Sequence, residues 1–367
     1  MVQPCLIRLF SVIGVSLGLN VLGGSFLAAQ TKTGSGTESI SAVMRELSIN
    51  LPTDVAEKSP VRLHLEELGR EHCDQKAIEN LGTALEKVGY RREAAKAHIS
   101  FSTNCGGHAP SLRTAVNVLL KLSDYPRAVA VASELIKLEP FDDNGYYLRA
   151  VAHERGGSPK KAIDDYVTAV ELFGNKDRIS SVSYLAMARS YEKLGQFCEA
   201  VLPVETWVAL NPTRNDTSQT RAIIADYTAK GRCQPATGGG EEVFPISSKS
   251  RVIKLAATVN GVRANLLLDT GASFLSLKQA FAQRAKVQVD PESTVRLHTA
   301  NGIADGKRGS AATVQLRTLQ AKNVLVVVQS DDQATYGDGI DGLLGMSFLS
   351  RFKVTFDSQT VKISNRK

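Results

Sequence analysis

Leu266-Leu267-Leu268-Asp269-Thr270-Gly271-Ala272-Ser273 is the stretch whose reading decides the fold of this 367-residue chain. A short continuous apolar run bounded by turn residues suits a core strand, so the leucines are expected to be buried. Asp269 is then delivered to the mouth of that strand, on a turn that Gly271 makes sterically easy. A carboxylate held there is partly desolvated, the condition that moves a pKa toward catalytic use. Asp-Thr-Gly alone is also ordinary turn chemistry, so the weight falls on the residues downstream.

Two further motifs lie there. Asp341-Gly342-Leu343-Leu344-Gly345-Met346-Ser347-Phe348-Leu349 is a second apolar run broken by glycines. Between the two runs stands His298-Thr299-Ala300-Asn301-Gly302, with Asp305-Gly306 shortly after, which reads as a glycine-tipped hairpin. In this order the three motifs resemble the retropepsin-like aspartic proteases, in particular the bacterial single-domain members, over residues 245 to 365. The resemblance implies an all-β acid-protease barrel with Asp269 as the catalytic carboxylate, on a loop shaped by Thr270 and Gly271. It implies that Thr299, Ala300, Asn301 and Gly302 form the flap over substrate, and that Leu343-Leu344-Gly345 packs behind the catalytic loop. The implied activity is endopeptidase cleavage of protein substrates, with no metal and no cofactor.

That chemistry needs two carboxylates. Placed close together they cannot both ionise, so they share a proton. The charged one activates a water and the protonated one polarises the scissile carbonyl. The chain has no second Asp-Thr/Ser-Gly: Asp305-Gly306, Asp338-Gly339 and Asp341-Gly342 lack the middle hydroxyl. A symmetric homodimer giving one Asp269 from each chain is therefore expected. The alternative is a degenerate protease fold that binds peptides without turnover.

Upstream the chain repeats itself. The turn positions Gly89, Ser123, Gly157 and Gly195 are spaced by 34, 34 and 38 residues, and each is followed five residues on by Ala94, Ala128, Ala162 or Ala200. A period of 34 is that of tetratricopeptide repeats, which residues 61–233 resemble. An α-solenoid of TPR-like helical hairpins is expected, with a four-residue insertion near Asp177–Ser180 and a polar-faced capping helix over 215–230. Such arrays present a concave groove, so a protein partner or substrate is expected there. The other reading is a spacer or dimer platform.

On this solenoid Cys73 precedes the first helix of repeat one and Cys105 ends its second, while Cys198 and Cys233 stand in the same relation at the far end. Two disulfides are expected, Cys73–Cys105 and Cys198–Cys233, because the five cysteines become four once Cys5 is lost with an N-terminal export signal, an even count in an exported chain. The competing reading is a zinc site from His72, Cys73, Cys105 and His108.

Residues 1–29 read as a cleaved signal peptide: Arg8, an apolar stretch from Leu9 to Leu22, and Leu27-Ala28-Ala29 before Gln30. An uncleaved anchor is the weaker reading, because Asn20 and the interspersed glycines and serines make a poor span. A periplasmic or secreted protein with no stable membrane span is expected. Residues 30–60 read as mostly irregular, with a short helix near Ser39–Leu47. Residues 234–244 read as a flexible linker, and 245–367 as the β domain, with strand composition at 252–259, 264–268, 313–316, 324–328 and 352–363.

Other classes fall away. Gly337-Asp338-Gly339-Ile340-Asp341-Gly342 formally matches a phosphate-binding pattern, but its aspartates would repel phosphate. HExxH and Gly-x-Ser-x-Gly are absent from the sequence. A net charge of +7 spread along the chain gives no ground for a nucleic-acid partner.

Overall fold

The computed structural model describes residues 34–175, 178–246, 252–299, 302–332 and 336–365. Helices α1 (Gly34–Glu46), α2 (Thr53–Ala56) and α3 (Ser59–Arg70) lead into four helical hairpins. These are α4 (Gln75–Lys87) with α5 (Arg91–Asn104), α6 (Ala109–Lys121) with α7 (Tyr125–Leu138), α8 (Asp143–Arg155) with α9 (Pro159–Leu172), and α10 (Ser181–Lys193) with α11 (Phe197–Leu210). The short α12 (Pro212–Asn215) precedes α13 (Ser218–Gly231), which packs on α11 and opens with a Thr217–Thr220 capping box.

Local chemistry explains these bounds. Gly89, Gly157 and Gly195 take positive φ at the hairpin turns, and Ser123 does the same at 57° without glycine's freedom. Ala94, Ala128, Ala162 and Ala200 are fully buried, letting the paired helices approach closely. The connection from α9 to α10 is longer than those from α5 to α6 and from α7 to α8, which is where the repeat spacing lengthens.

Residues 30–60 differ from expectation. The described part is largely helical, and Ile40, Val43 and Leu47 join Val61, Leu65 and Leu68 in one buried cluster. Three apolar residues at helical spacing outweigh the Ser, Thr and Gly content that suggested irregular chain.

Cys73 is bonded to Cys105 and Cys198 to Cys233, with Cα separations of 5.6 and 5.4 Å. The zinc alternative loses its thiolates to the first disulfide. Its histidines are engaged too, His72 with Glu46 and His108 with Ser111.

Inside the solenoid His98 is buried against Gly82, where an added Cβ would sit 2.1 Å from the ring Nε2. Burial pushes its imidazole down from 6.5 to about 4. The unfolded chain therefore takes up this proton first. Stability is complete above pH 6.5 and falls as pH drops toward 4, by about 3 kcal/mol in all. Urea denaturation from pH 7.5 to 4 should show this loss, and His98→Gln should flatten the slope over that interval.

The C-terminal part is β-rich: β1 (Glu241–Pro245), β2 (Lys254–Val259), β3 (Val262–Leu268), β4 (Leu275–Lys278), α14 (Gln279–Arg284), β5 (Gln288–Val289) and β6 (Val295–Thr299). It continues with β7 (Gly302–Leu316), β8 (Leu319–Gln329), β9 (Gly342–Leu344), α15 (Met346–Leu349), β10 (Phe352–Phe356) and β11 (Thr360–Asn365). One sheet runs β2-β3-β9-β4-β8-β7-β5, with β6 on β7, and a further β2–β7 pairing brings its ends together. The other sheet is β1-β11-β10.

Two expectations are corrected here. The span 352–363 is a hairpin, not one strand, because the Asp357 carboxylate accepts hydrogen bonds from the Gln359 and Thr360 amides and turns the chain. The linker at 234–244 is docked, not free. Thr237 bridges Gln320, the Gly238 carbonyl accepts from Asn365, and Glu241–Pro245 pairs with β11 as β1. Glycine serves close approach there, since a Cβ on Gly238 would lie 2.5 Å from Leu319.

The solenoid and the β domain share buried surface. Tyr184, Met187 and Leu202 cluster with Phe274, Val295, Leu297, Leu325 and Val327, and α9 lies along β6.

Candidate active site

The Asp269 loop joins β3 to β4, which are not neighbours in the sheet. Between them lies β9, parallel to β3 through Leu268↔Leu344 and antiparallel to β4 through Ser276↔Leu343. The Asp269 amide donates to the Leu344 carbonyl at 3.1 Å, so β9 holds the residue at the strand mouth. The Gly271 amide donates to Asp269 Oδ1 at 2.8 Å, which orients the carboxylate and leaves Oδ2 for other chemistry. Asp269 is half-buried, whereas Thr270 and Gly271 are exposed.

The rest of the loop is pinned by α15. Met346 and Ser347 donate their amides to the Ala272 and Ser273 carbonyls, at 2.8 and 2.9 Å. The buried Ser347 hydroxyl accepts from the Leu275 amide and donates to the Leu325 carbonyl. Sequence reading overlooked Ser347; a lone hydroxyl between Met346 and Phe348 in an apolar run was the available signal. Leu344 is fully buried in the core beside Leu266, and Gly345 lies directly behind the loop.

Thr270 and Gly271 face a cleft of about 1210 Å³. The β domain contributes Met346, Leu349, Phe352 and Val354 to its walls, and the solenoid contributes Val208, Leu210 and Pro212. Thr299 and Gly302 pair at the tip of the β6–β7 hairpin, where the Thr299 hydroxyl donates to the Gly302 carbonyl at 2.8 Å. Ala300 and Asn301 lie outside the described residues. Asp305-Gly306 sits within β7, away from the tip; a Cβ on Gly306 would lie 2.5 Å from Val327.

Three other acidic residues near the motifs have structural partners. Asp341 accepts the Asn265 amide and pairs with Arg284, Asp331 accepts the Ala280 amide in the first turn of α14, and Glu242 binds Arg317 and Thr318. Hydrogen bonds from Thr318 hold the Glu242 carboxyl below its usual range. No cluster of metal-ligating side chains is present among the described residues.

Residues 255–351 match the family of gag-polyprotein putative aspartyl proteases. The C-terminal region is retropepsin-like. A retropepsin-like aspartic protease from Rickettsia conorii is 26% identical, covering 35% of this chain and 91% of its own, with a TM-score of 0.26. Helical proteins, a TPR protein among them, are also similar to this chain. MamA from Desulfovibrio magneticus RS-1 is 18% identical, covering 50% of this chain and 99% of its own at a TM-score of 0.37. A thermophilic TPR protein of Thermus thermophilus is 14% identical over 53% of this chain and 100% of its own, at 0.34. Curated proteins offer no significant sequence match. No helix among the described residues is long and apolar enough to cross a membrane.

Proposed function

We propose that this retropepsin-like chain is an exported endopeptidase that cleaves protein substrates with a pair of Asp269 carboxylates, one from each of two copies. The observation that carries the reading is the Asp269 loop itself: a single carboxylate at a strand mouth, braced by β9 and by the Gly271 amide, on a loop whose Thr270 and Gly271 line a cleft. Two such carboxylates share one proton. The ionised one takes a proton from water as the water attacks the carbonyl carbon, and the protonated one donates to the carbonyl oxygen. Collapse of the tetrahedral intermediate breaks the C–N bond and returns a proton to the amine. The hairpin ending at Thr299–Gly302 covers the substrate, and the solenoid groove takes a protein ligand. Export is supported by residues 1–29 and by the two disulfides.

A second reading has its own observation. Val208, Leu210 and Pro212 of the solenoid wall the same cleft as Thr270 and Gly271, so that it is formed within one chain. That favours a peptide-holding scaffold without turnover.

The test is cleavage of an unstructured protein by the full chain from pH 3 to 8, with oligomeric state and folding followed at each pH. A bell-shaped profile, abolished by a statine-type inhibitor, is expected. Inactivity of a folded dimer at every pH would give the scaffold reading precedence.

A further inference from the structure

Among the described residues of the β domain, β6 pairs with β7 on one side only, through Val295↔Gly306 to Thr299↔Gly302. Its other edge would present unpaired amides. The solenoid covers that edge. The Arg296 amide donates to the Thr168 hydroxyl of α9 at 2.9 Å, and the same hydroxyl donates to the Asp164 carbonyl. The oxygen therefore has one defined role toward each partner.

Charged side chains complete the contact. Arg296 holds Asp305 across the hairpin through two hydrogen bonds and reaches the Tyr146 hydroxyl of α8 at 2.9 Å. One turn back along α9, Asp164 accepts from Arg308 of β7 at 2.7 Å, with the arginine and aspartate side chains nearly buried at 12% and 13% exposure. Pairs this enclosed are geometrically demanding: removal of Arg308 strips Asp164 of its cation, whereas removal of Asp164 leaves Arg308 only the longer 3.4 Å contact with Asp290. Val295 and Leu297, on either side of Arg296, are buried in the shared cluster, as is Phe274 at the end of the catalytic loop.

We propose that Thr168, Asp164 and Tyr146 of the third repeat are positioning residues for the substrate-covering hairpin, and that the solenoid is a clamp on its stem instead of a tethered adaptor. The inference rests on the protease reading for its consequence, since the hairpin matters to turnover only if it covers substrate. Its physical content stands apart from activity: the β6–β7 stem takes its rigidity from α8 and α9.

The experiment is amide hydrogen exchange on the full-length chain, read alongside peptidase kinetics, for Thr168→Val, Thr168→Ser and Tyr146→Phe. Thr168→Val removes the acceptor with little change of shape, Thr168→Ser restores it, and Tyr146→Phe deletes one hydroxyl in a variant that should fold in any case. Loss of one such hydrogen bond should raise exchange across 295–299 and 302–308 by about five- to tenfold, with 324–328 unchanged. Serine should return it to the wild-type rate. KM for substrate should rise more than kcat falls. Unchanged exchange in a folded Thr168→Val or Tyr146→Phe chain overturns the clamp, and so does an even rise over the whole β domain. If the wild-type chain does not cleave, the exchange result still decides the clamp, while the protease reading falls by itself.

Discussion

Asp269→Asn lowers kcat/KM for peptide cleavage by at least about 10³-fold, with no loss of folding stability. The asparagine side-chain oxygen can still accept the Gly271 amide that Oδ1 accepts at 2.8 Å, so the loop keeps its shape. It cannot ionise, so no base remains to take the proton from water. In a homodimer the substitution removes both carboxylates together, which is why the effect is near-complete instead of halved. Chemical denaturation of the variant should superimpose on that of the wild type while cleavage vanishes. Cleavage at the wild-type rate would remove Asp269 from the chemistry altogether.

Gly342→Ala destabilises the β domain by about 4 kcal/mol, a large share of an ordinary domain's stability. An added Cβ would lie 2.0 Å from the Ser276 carbonyl oxygen, and at Gly345 it would lie 2.2 Å from the Phe274 carbonyl and 2.6 Å from that of Ala272. These are backbone atoms of the strand and loop that carry Asp269, so no side chain can swing away. The constraint is space: neither residue is among the positive-φ glycines. Gly239→Ala is the control, because its nearest neighbour would be 3.7 Å away, an ordinary contact. Urea denaturation of the full chain should show the Gly342→Ala transition shifted and Gly239→Ala nearly unmoved. Equal transitions would mean that the close approach of β9 to β4 can relax at little cost.

The most legible features were those written locally. Alanines 94, 128, 162 and 200 mark one face of each repeat because helix pairs need a small residue at their closest approach, and each is fully buried. The leucines of β3 and β9 announce strands because their neighbours are turn residues, and the two strands pair in register, but only Leu266 and Leu344 are buried while Leu267, Leu268 and Leu343 are half-buried. Legibility failed where composition and position disagreed. The glycines at 238–240 look like free linker, yet Gly238 is used for contact with Leu319. Asp357 looks like part of a strand, yet its carboxylate makes the turn between β10 and β11. Ser347 looks like a stray hydroxyl, yet it ties β4 to β8 behind the Asp269 loop.

By itself the sequence determined the helical repeats, the β-rich domain after them and the Asp-Thr-Gly turn at a strand mouth, since each follows from periodicity or turn chemistry within a few residues. Only the tertiary structure decided how the two regions meet. The Thr168–Arg296 and Asp164–Arg308 contacts join residues 128 and 144 positions apart, and neither pair lies in a pattern that its own neighbours reveal. A hydroxyl on a helix and an arginine on an edge strand each look solvated in isolation. They become a clamp because the apolar faces around them, from Tyr184 to Val327, are buried against each other and enclose the Asp164–Arg308 pair.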